Sequence, residues 1–120
     1  MFNEFFNKGR NSKKAGEIIY KNEKPKDSET IKMRVRIEGL VQGVGFRYTT
    51  KHVADQIGIS GIVKNENDGS VYVEALGSSD LIDQFIEELA KGPSPSAHVD
   101  KVTVEFDDSI PDYKGFGQRH

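Results

Sequence analysis

Apolar and polar residues follow clear periods from residue 32 onward. The segment 32–38 alternates as a half-buried strand does, with Met33, Val35 and Ile37 on one face. Residues 46–57 then follow a helical period, and Gly58 is typical of a helix end. The pattern therefore predicts a strand that leads through a short connection into a helix.

Further elements follow in the same pattern. Two apolar runs flank the turn residues Asp68-Gly69, which is a strong signal for a β-hairpin. Two serines offer an N-cap for a second helix, and a Gly-Pro pair ends it. The predicted elements are a strand at 61–64, a strand at 71–75, a helix from Ser78 or Ser79 to Lys91, a strand carrying Val102, Val104 and Phe106, and a weaker last strand near 115–120.

The order of these elements defines a fold class. It is βαββαβ, with a possible extra strand at the end. Right-handed crossovers around a central hairpin fold this order into a ferredoxin-like α+β sandwich. We therefore expect one antiparallel sheet with two helices on one face.

Residues 1–31 differ from the rest of the chain. They are polar, contain Pro25 and show no sustained period, so we expect a flexible N-terminal extension ahead of a domain over 32–120. Two alternatives stay open. The phenylalanines could dock on the domain or belong to a short amphipathic helix, and an apolar triplet could add an edge strand. These residues are Phe2, Phe5 and Phe6 for the first alternative, and Ile18, Ile19 and Tyr20 for the second.

Composition narrows the functional classes. The chain has 17 basic and 19 acidic residues and a net charge of −2, which argues against a general polyanion binder. It has no cysteine, hence no disulfide, thiol nucleophile or thiolate metal site, which suits a cytoplasmic protein. No apolar run approaches the ~20 residues needed to span a membrane, and the three histidines lack metal-ligand spacing. We expect a cytoplasmic protein that needs no metal or cofactor.

The connection between the first predicted strand and helix has the composition of an anion site. Residues 41–47 read Val-Gln-Gly-Val-Gly-Phe-Arg. In a glycine-rich turn that leads into a helix, backbone N–H groups without partners point toward one position, at the positive end of the helix dipole. Gly43 and Gly45 allow close approach and positive φ. Arg47 falls in the first helical turn, where its charge opposes the dipole, so we predict that an anion lies between Arg47 and the amides.

Asn65 is the second candidate for chemistry. It falls near the end of the strand that enters the predicted hairpin, where asparagine is common for structural reasons alone. Its amide can also donate to and accept from a water molecule. The predicted fold places this strand in the same sheet as the one that feeds the glycine loop. Both interpretations stay open on the residues alone.

Two motifs in order resemble the acylphosphatase family. The first is 41–47, and the second is 61–71, Gly-Ile-Val-Lys-Asn-Glu-Asn-Asp-Gly-Ser-Val, which is similar to the family's Gly-Trp-Val-x-Asn-x-x-Asp-Gly-x-Val. The resemblance spans about residues 32–120, and the family's βαββαβ fold agrees with the predicted order. Ile62 replaces the frequent Trp, the C-terminal residues match only loosely, and residues 1–31 are not covered.

The resemblance implies an activity and a set of roles. The activity is hydrolysis of acyl phosphates to a carboxylate and inorganic phosphate, with no metal or cofactor. Arg47 becomes the phosphate-binding cation, and Asn65 becomes the residue that orients the attacking water. The implied phosphate cradle consists of Gln42, Gly43, Val44, Gly45, Phe46 and Arg47.

Rival functions and partners complete the expectations. The main rival is a non-catalytic phosphate or acyl-phosphate sensor that kept the cradle, and another is the corresponding domain of a larger carbamoyl-transfer enzyme. An RNA-binding domain would need aromatic residues on its central strands, where 71–75 offer only Tyr72. We expect a monomer that acts on a small acyl phosphate, has inorganic phosphate as product and inhibitor, and binds neither nucleic acid nor membranes.

Overall fold

The computed structural model describes residues 14–120. The predicted order is present, with one additional strand at each edge of the sheet. Neither helix in the described residues is long and apolar enough to cross a membrane. The elements are β1 (Glu17–Tyr20), β2 (Ile31–Leu40), α1 (Phe46–Ile57), β3 (Ser60–Asn65), β4 (Val71–Gly77), α2 (Ser79–Lys91), β5 (His98–Phe106) and β6 (Phe116–Arg119).

The described strands form one sheet in the order β1-β5-β2-β4-β3-β6. The four central strands pair antiparallel, as predicted. The two edges differ from the fully antiparallel sheet that we expected, because β1 pairs parallel to β5 and β6 pairs parallel to β3. The sheet is therefore mixed, and the ferredoxin-like α+β sandwich is confirmed as the fold class.

The alternation of apolar and polar residues along the strands explains why the sheet and the helices form two layers. In β2, Met33, Val35 and Ile37 are buried between partly or fully exposed polar neighbours. Both helices pack on the sheet and against each other, with Phe46 of α1 and Phe85 of α2 fully inside the core. Each helix thus buries one apolar stripe, as the helical period predicts.

The expectation of a flexible extension is wrong for residues 17–20. These residues form β1, which is the edge-strand alternative. The segment is held by more than its ladder, since Ile18 packs against the core and the ring of Tyr20 stacks on Phe106. The Asn22 side chain also bonds both backbone groups of Phe106 at 2.9 Å. The expectation for Phe2, Phe5 and Phe6 concerns residues outside those described.

The predicted last strand and the predicted start of the second helix can both be compared with the structure. The weakly predicted last strand is present as β6. The second helix has its N-cap at Ser78, one of the two predicted serines, but no side-chain hydrogen bond closes that cap. Asp80 in its first turn and Lys91 in its last turn match the helix dipole.

Candidate functional site

The loop after β2 enters α1 through two left-handed glycines. Gly43 has φ +75° and Gly45, the N-cap of α1, has φ +76°. A side chain at either position would be strained, but a Cβ built there meets no heavy atom within 4 Å. The glycines are therefore required by backbone conformation, and they leave open space above the loop.

The N-terminus of α1 lacks the usual polar partners. Gly45 has no side chain to cap the helix, no side-chain hydrogen bond replaces the cap, and the first turn contains no acidic residue. The first backbone N–H groups of an α-helix have no partner within the helix. The only charged side chain in this first turn is Arg47, which increases the positive potential instead of balancing it. α2, with Asp80 at the same position of its first turn, shows the ordinary arrangement.

Arg47 is held by the edge of the sheet. Its Nη1 donates a hydrogen bond to the backbone carbonyl of Arg119 in β6, at 2.9 Å. This is the only hydrogen bond of the Arg47 side chain within residues 14–120, and an arginine has five N–H donors. The guanidinium is thus oriented by one contact, while its remaining donors are available to a ligand.

Asn65 supplies a buried acceptor. Its Oδ1 is inaccessible to solvent and has no hydrogen-bond partner in the described structure. A buried acceptor without a partner costs about 1–3 kcal/mol, so the side-chain amide of Asn65 has hydrogen-bonding capacity that the described residues do not use. The residue is the last of β3 and pairs with Val71, which fixes its position in the sheet.

Arg47 and Asn65 line the same cavity, whose volume is about 180 Å³. The structure therefore brings together the two residues that the sequence singled out separately. The glycine loop forms one wall, the start of α1 another, and β3 and β6 the remainder. The lining residues are Val41, Gly43, Gly45, Phe46, Arg47, Tyr48, Asn65 and Gln118.

Two residues of the predicted cradle do not line this cavity. The side-chain amide of Gln42 donates instead to the carbonyls of Glu66 and Ser70, at 2.7 and 2.8 Å. Val44 packs against the core, and its carbonyl accepts a hydrogen bond from the Ser94 hydroxyl. Gln42 thereby ties the loop to the hairpin that carries Asn65, a contact that links the two predicted motifs.

Two lining residues were missed by the sequence analysis. Gln118 reaches the cavity because β6 pairs parallel to β3, with Gln118 opposite Val63, and a pairing between such distant segments leaves no local signal. Tyr48 does leave a signal, since it is an aromatic residue outside the apolar stripe of its helix. It is 67% exposed, more than any other large apolar side chain in the described residues.

A second concavity, of about 240 Å³, lies on the open face of the sheet. Arg34 lines it, but its guanidinium pairs with Asp107 and lies 3.4 Å from a Glu105 carboxylate oxygen. Burial and a hydrogen bond to Glu74 raise the pKa of Tyr72, another lining residue, to about 12. Arg34 and Tyr72 each have a side-chain partner here, although Arg34 Nε makes no hydrogen bond with the described residues. The cavity of Arg47 and Asn65 differs because it lies beside the uncapped start of α1.

The fold and the cavity define a class of protein. It is a small ferredoxin-like α+β domain with an arginine-lined anion cavity at a strand–loop–helix junction. The shape of the cavity, the unbalanced helix dipole and the free donors of Arg47 all suit a small, compact anion such as a phosphoryl group.

Comparison with known proteins identifies the family. The acylphosphatase family model matches residues 33–117. The chain is 44% identical over 85 residues to the acylphosphatase of Enterococcus faecalis, an alignment that covers 71% of this chain and 93% of the relative. It is 52% identical over 71 residues to the acylphosphatase of Ligilactobacillus salivarius, which covers 59% of this chain and 79% of the relative. A crystal structure of acylphosphatase from Bacillus subtilis matches with a TM-score of 0.71 and 33% identity, covering 75% of this chain and 99% of that chain.

The chain belongs to the acylphosphatase family. These matches confirm the predicted family and the predicted enzyme class, a hydrolase that acts on acyl phosphates. The family model covers the whole of the cavity lining except Gln118.

Proposed function

We propose that the chain hydrolyses acyl phosphates in the cavity that Arg47 and Asn65 share. The observation that carries this proposal is the pairing itself. Arg47, whose side chain makes one hydrogen bond to the described residues, and Asn65, whose Oδ1 makes none with them, line one cavity of about 180 Å³ beside an uncapped helix start. A site that only bound phosphate would need the first and third features but not the second.

The phosphoryl group binds to the loop and to Arg47. Its non-bridging oxygens accept hydrogen bonds from the N–H groups at the start of α1, where the helix dipole favours negative charge. The guanidinium offers a planar pair of donors, which fits two phosphate oxygens better than an ammonium group does. The open space above Gly43 and Gly45 lets the oxygens approach the backbone closely.

Asn65 orients the attacking water. Asn65 lines the cavity, and a side-chain amide can accept a hydrogen bond from a water molecule or donate one to it. The water oxygen then points a lone pair at phosphorus, opposite the bond to the acyl oxygen, as in-line displacement requires. Asn65 cannot remove a proton, so its contribution is position and not general base catalysis.

The reaction needs no separate acid or base. Water oxygen forms a bond to phosphorus as the bond between phosphorus and the acyl oxygen breaks. The leaving group is a carboxylate whose conjugate acid has a pKa of about 4, so it departs without a proton. The proton of the attacking water passes to a phosphoryl oxygen of the substrate. Arg47 and the loop amides stabilise the charge on the equatorial oxygens, which supplies most of the catalysis in a loose transition state.

Two substitutions separate these roles. Arg47→Ala should raise the KM for acetyl phosphate and lower kcat, with a loss in kcat/KM of about 10³-fold or more, because it removes both binding and charge stabilisation. Asn65→Ala should lower kcat by about 10²-fold with little change in KM, because the water contact matters only in the transition state. Release of inorganic phosphate measures both effects.

Matched controls make this test decisive. Asn67→Ala changes an exposed asparagine of the neighbouring turn and should keep wild-type kinetics, while circular dichroism checks that all variants are folded. Wild-type turnover in Arg47→Ala or Asn65→Ala would remove that residue from the mechanism. A wild-type protein that binds inorganic phosphate but releases none from acetyl phosphate would instead be the non-catalytic sensor.

The proposed setting is a small-molecule reaction in the cytoplasm. The substrate is a small acyl phosphate, and inorganic phosphate binds the same cavity as product and inhibitor. The absence of cysteine and the net charge of −2 support a cytoplasmic protein that does not bind nucleic acid. We propose that it acts as a monomer.

A further inference from the structure

The acyl half of the substrate must leave the cavity in a defined direction, if the proposed hydrolysis is correct. In-line displacement places the leaving carboxylate opposite the attacking water. Asn65, which holds that water in the proposed mechanism, lines the cavity from the end of β3, and Tyr48 lines it from the first turn of α1. The acyl group therefore points away from Asn65 toward the open rim.

Tyr48 lies at this rim. It lines the cavity and is 67% exposed, the most exposed large apolar side chain in the described residues. It makes no hydrogen bond or ring contact within residues 14–120, in contrast to Tyr20, whose ring stacks on Phe106. It lines the same cavity as Arg47, so a substrate whose phosphoryl group binds Arg47 can bring its acyl group to the tyrosine ring.

The size of the cavity makes this contact important for larger substrates. At about 180 Å³ it is smaller than the ~300–1,000 Å³ of typical small-molecule sites, so it accommodates little more than a phosphoryl group and a short acyl chain. A larger acyl group projects past the rim. There it meets the ring of Tyr48, which makes no ring contact within residues 14–120.

We propose that Tyr48 is the acyl-recognition residue of this enzyme, and that it favours acyl phosphates with an aromatic or other flat apolar acyl group. This inference rests on the proposed function of the Arg47–Asn65 cavity. Stacking on a phenol ring stabilises a flat ligand without fixing its identity. The phosphoryl contacts set the reaction, and the tyrosine sets a preference among its substrates.

The test compares one flat and one small substrate. Initial rates of phosphate release from benzoyl phosphate and acetyl phosphate are corrected for uncatalysed hydrolysis, and the ratio of the two kcat/KM values is compared among variants. Tyr48→Ala should lower the benzoyl-to-acetyl ratio about three- to tenfold. The change should come mainly from a higher KM for benzoyl phosphate, because stacking on the acyl group is equal in ground and transition states.

Two further variants act as controls. Tyr48→Phe keeps the ring and should keep the ratio within about twofold. Leu40→Ala removes another exposed apolar side chain, 58% exposed and outside the cavity lining, and should also leave the ratio unchanged. Thermal melts of each variant show whether the protein is folded.

The results that would overturn this inference differ from those that would overturn the proposed function. An unchanged ratio in Tyr48→Ala, or an equal loss with both substrates, would overturn the inference and leave the hydrolysis intact. Hydrolysis of acetyl phosphate without hydrolysis of benzoyl phosphate by the wild type would overturn it too. If the wild type released phosphate from neither substrate, the proposed function itself would be wrong.

Discussion

Arg47 and Asn65 each depart from the usual rules of stable structure, and in the proposed mechanism one substrate makes use of both departures. Arg47 places a cation at the positive end of α1, and Asn65 buries an acceptor without a donor. Such local conflicts with the rules of stable structure concentrate at functional sites. In the proposed mechanism the phosphoryl group balances the charge of Arg47, and the side-chain amide of Asn65 orients the water.

The loop glycines, Gly43 and Gly45, allow a test at the scale of single residues. Gly45→Ala introduces a methyl group at φ +76°, which should lower the free energy of unfolding by about 1–2 kcal/mol. That methyl also occupies the open space where the phosphoryl oxygens bind, so the KM for acetyl phosphate should rise by about tenfold or more. Urea denaturation and steady-state kinetics measure the two effects.

Gly115→Ala is the matched control for backbone strain. Gly115 has φ +73°, its added Cβ also meets no atom within 4 Å, and it does not line the cavity. This variant should lose similar stability and keep its KM. Equal kinetics in the two variants would show that the loop backbone does not contact the phosphoryl group.

At the scale of elements, short polar contacts hold the two motifs in register. Gln42 joins the glycine loop to the β3–β4 hairpin, and Asp68 in that hairpin accepts from the hydroxyl and the backbone N–H of Ser70. These bonds from Ser70, together with Arg36, hold the pKa of Asp68 well below its usual range. The hairpin is therefore rigid where it presents Asn65.

The turn after β5 has the same arrangement, a serine that donates two hydrogen bonds to an aspartate, and it gives a prediction for the pH dependence of stability. Hydrogen bonds from the hydroxyl and backbone N–H of Ser109, with Arg34 beside them, lower the pKa of Asp107 from 3.8 to about 2. A carboxyl with a lowered pKa in the folded state stabilises the protein above its unfolded pKa, and this contribution is lost as the pH falls. The loss should run from about pH 4 to about pH 2.

Asp107→Asn should therefore flatten the dependence of Tm on pH in that window. The Tm of the wild type should fall more steeply between about pH 4 and about pH 2 than the Tm of the variant. Asp108→Asn is the control, because Asp108 makes no hydrogen bond or ion pair in the described structure and is exposed. Parallel slopes for wild type and Asp107→Asn would contradict the assignment.

The whole molecule shows which features sequence can predict. Period and turn chemistry are local, so the bounds of α1 are as predicted, the central hairpin is present with each strand two residues longer than predicted, and both motifs are recognisable within a few residues. The pairing of β6 with β3, which brings Gln118 to the cavity, joins distant segments and depends on the closed fold. β1 was difficult to predict for another reason. It is a four-residue strand within a polar segment, and so short an apolar run does not outweigh the polar residues on either side of it.

β1 lies at the opposite edge of the sheet from the cavity, which separates stability from activity. A shortened chain that begins at Ile31 loses the β1 ladder, the packing of Ile18 and the two bonds of Asn22. We expect a loss of about 2–4 kcal/mol in the free energy of unfolding. We also expect kcat/KM within about twofold of wild type, because no residue of the cavity contacts β1.

Removal of β1 should have a second effect at the exposed edge of β5. An uncovered strand edge offers unpaired backbone groups to other chains, so the shortened chain should associate as its concentration rises. A chain that begins at Lys14 keeps every contact of the segment described above and is the control for both measurements. Light scattering reports association, and phosphate release reports activity. Loss of activity in a folded, monomeric shortened chain would show that the N-terminal segment reaches the site, because neither lower stability nor association could then account for the loss.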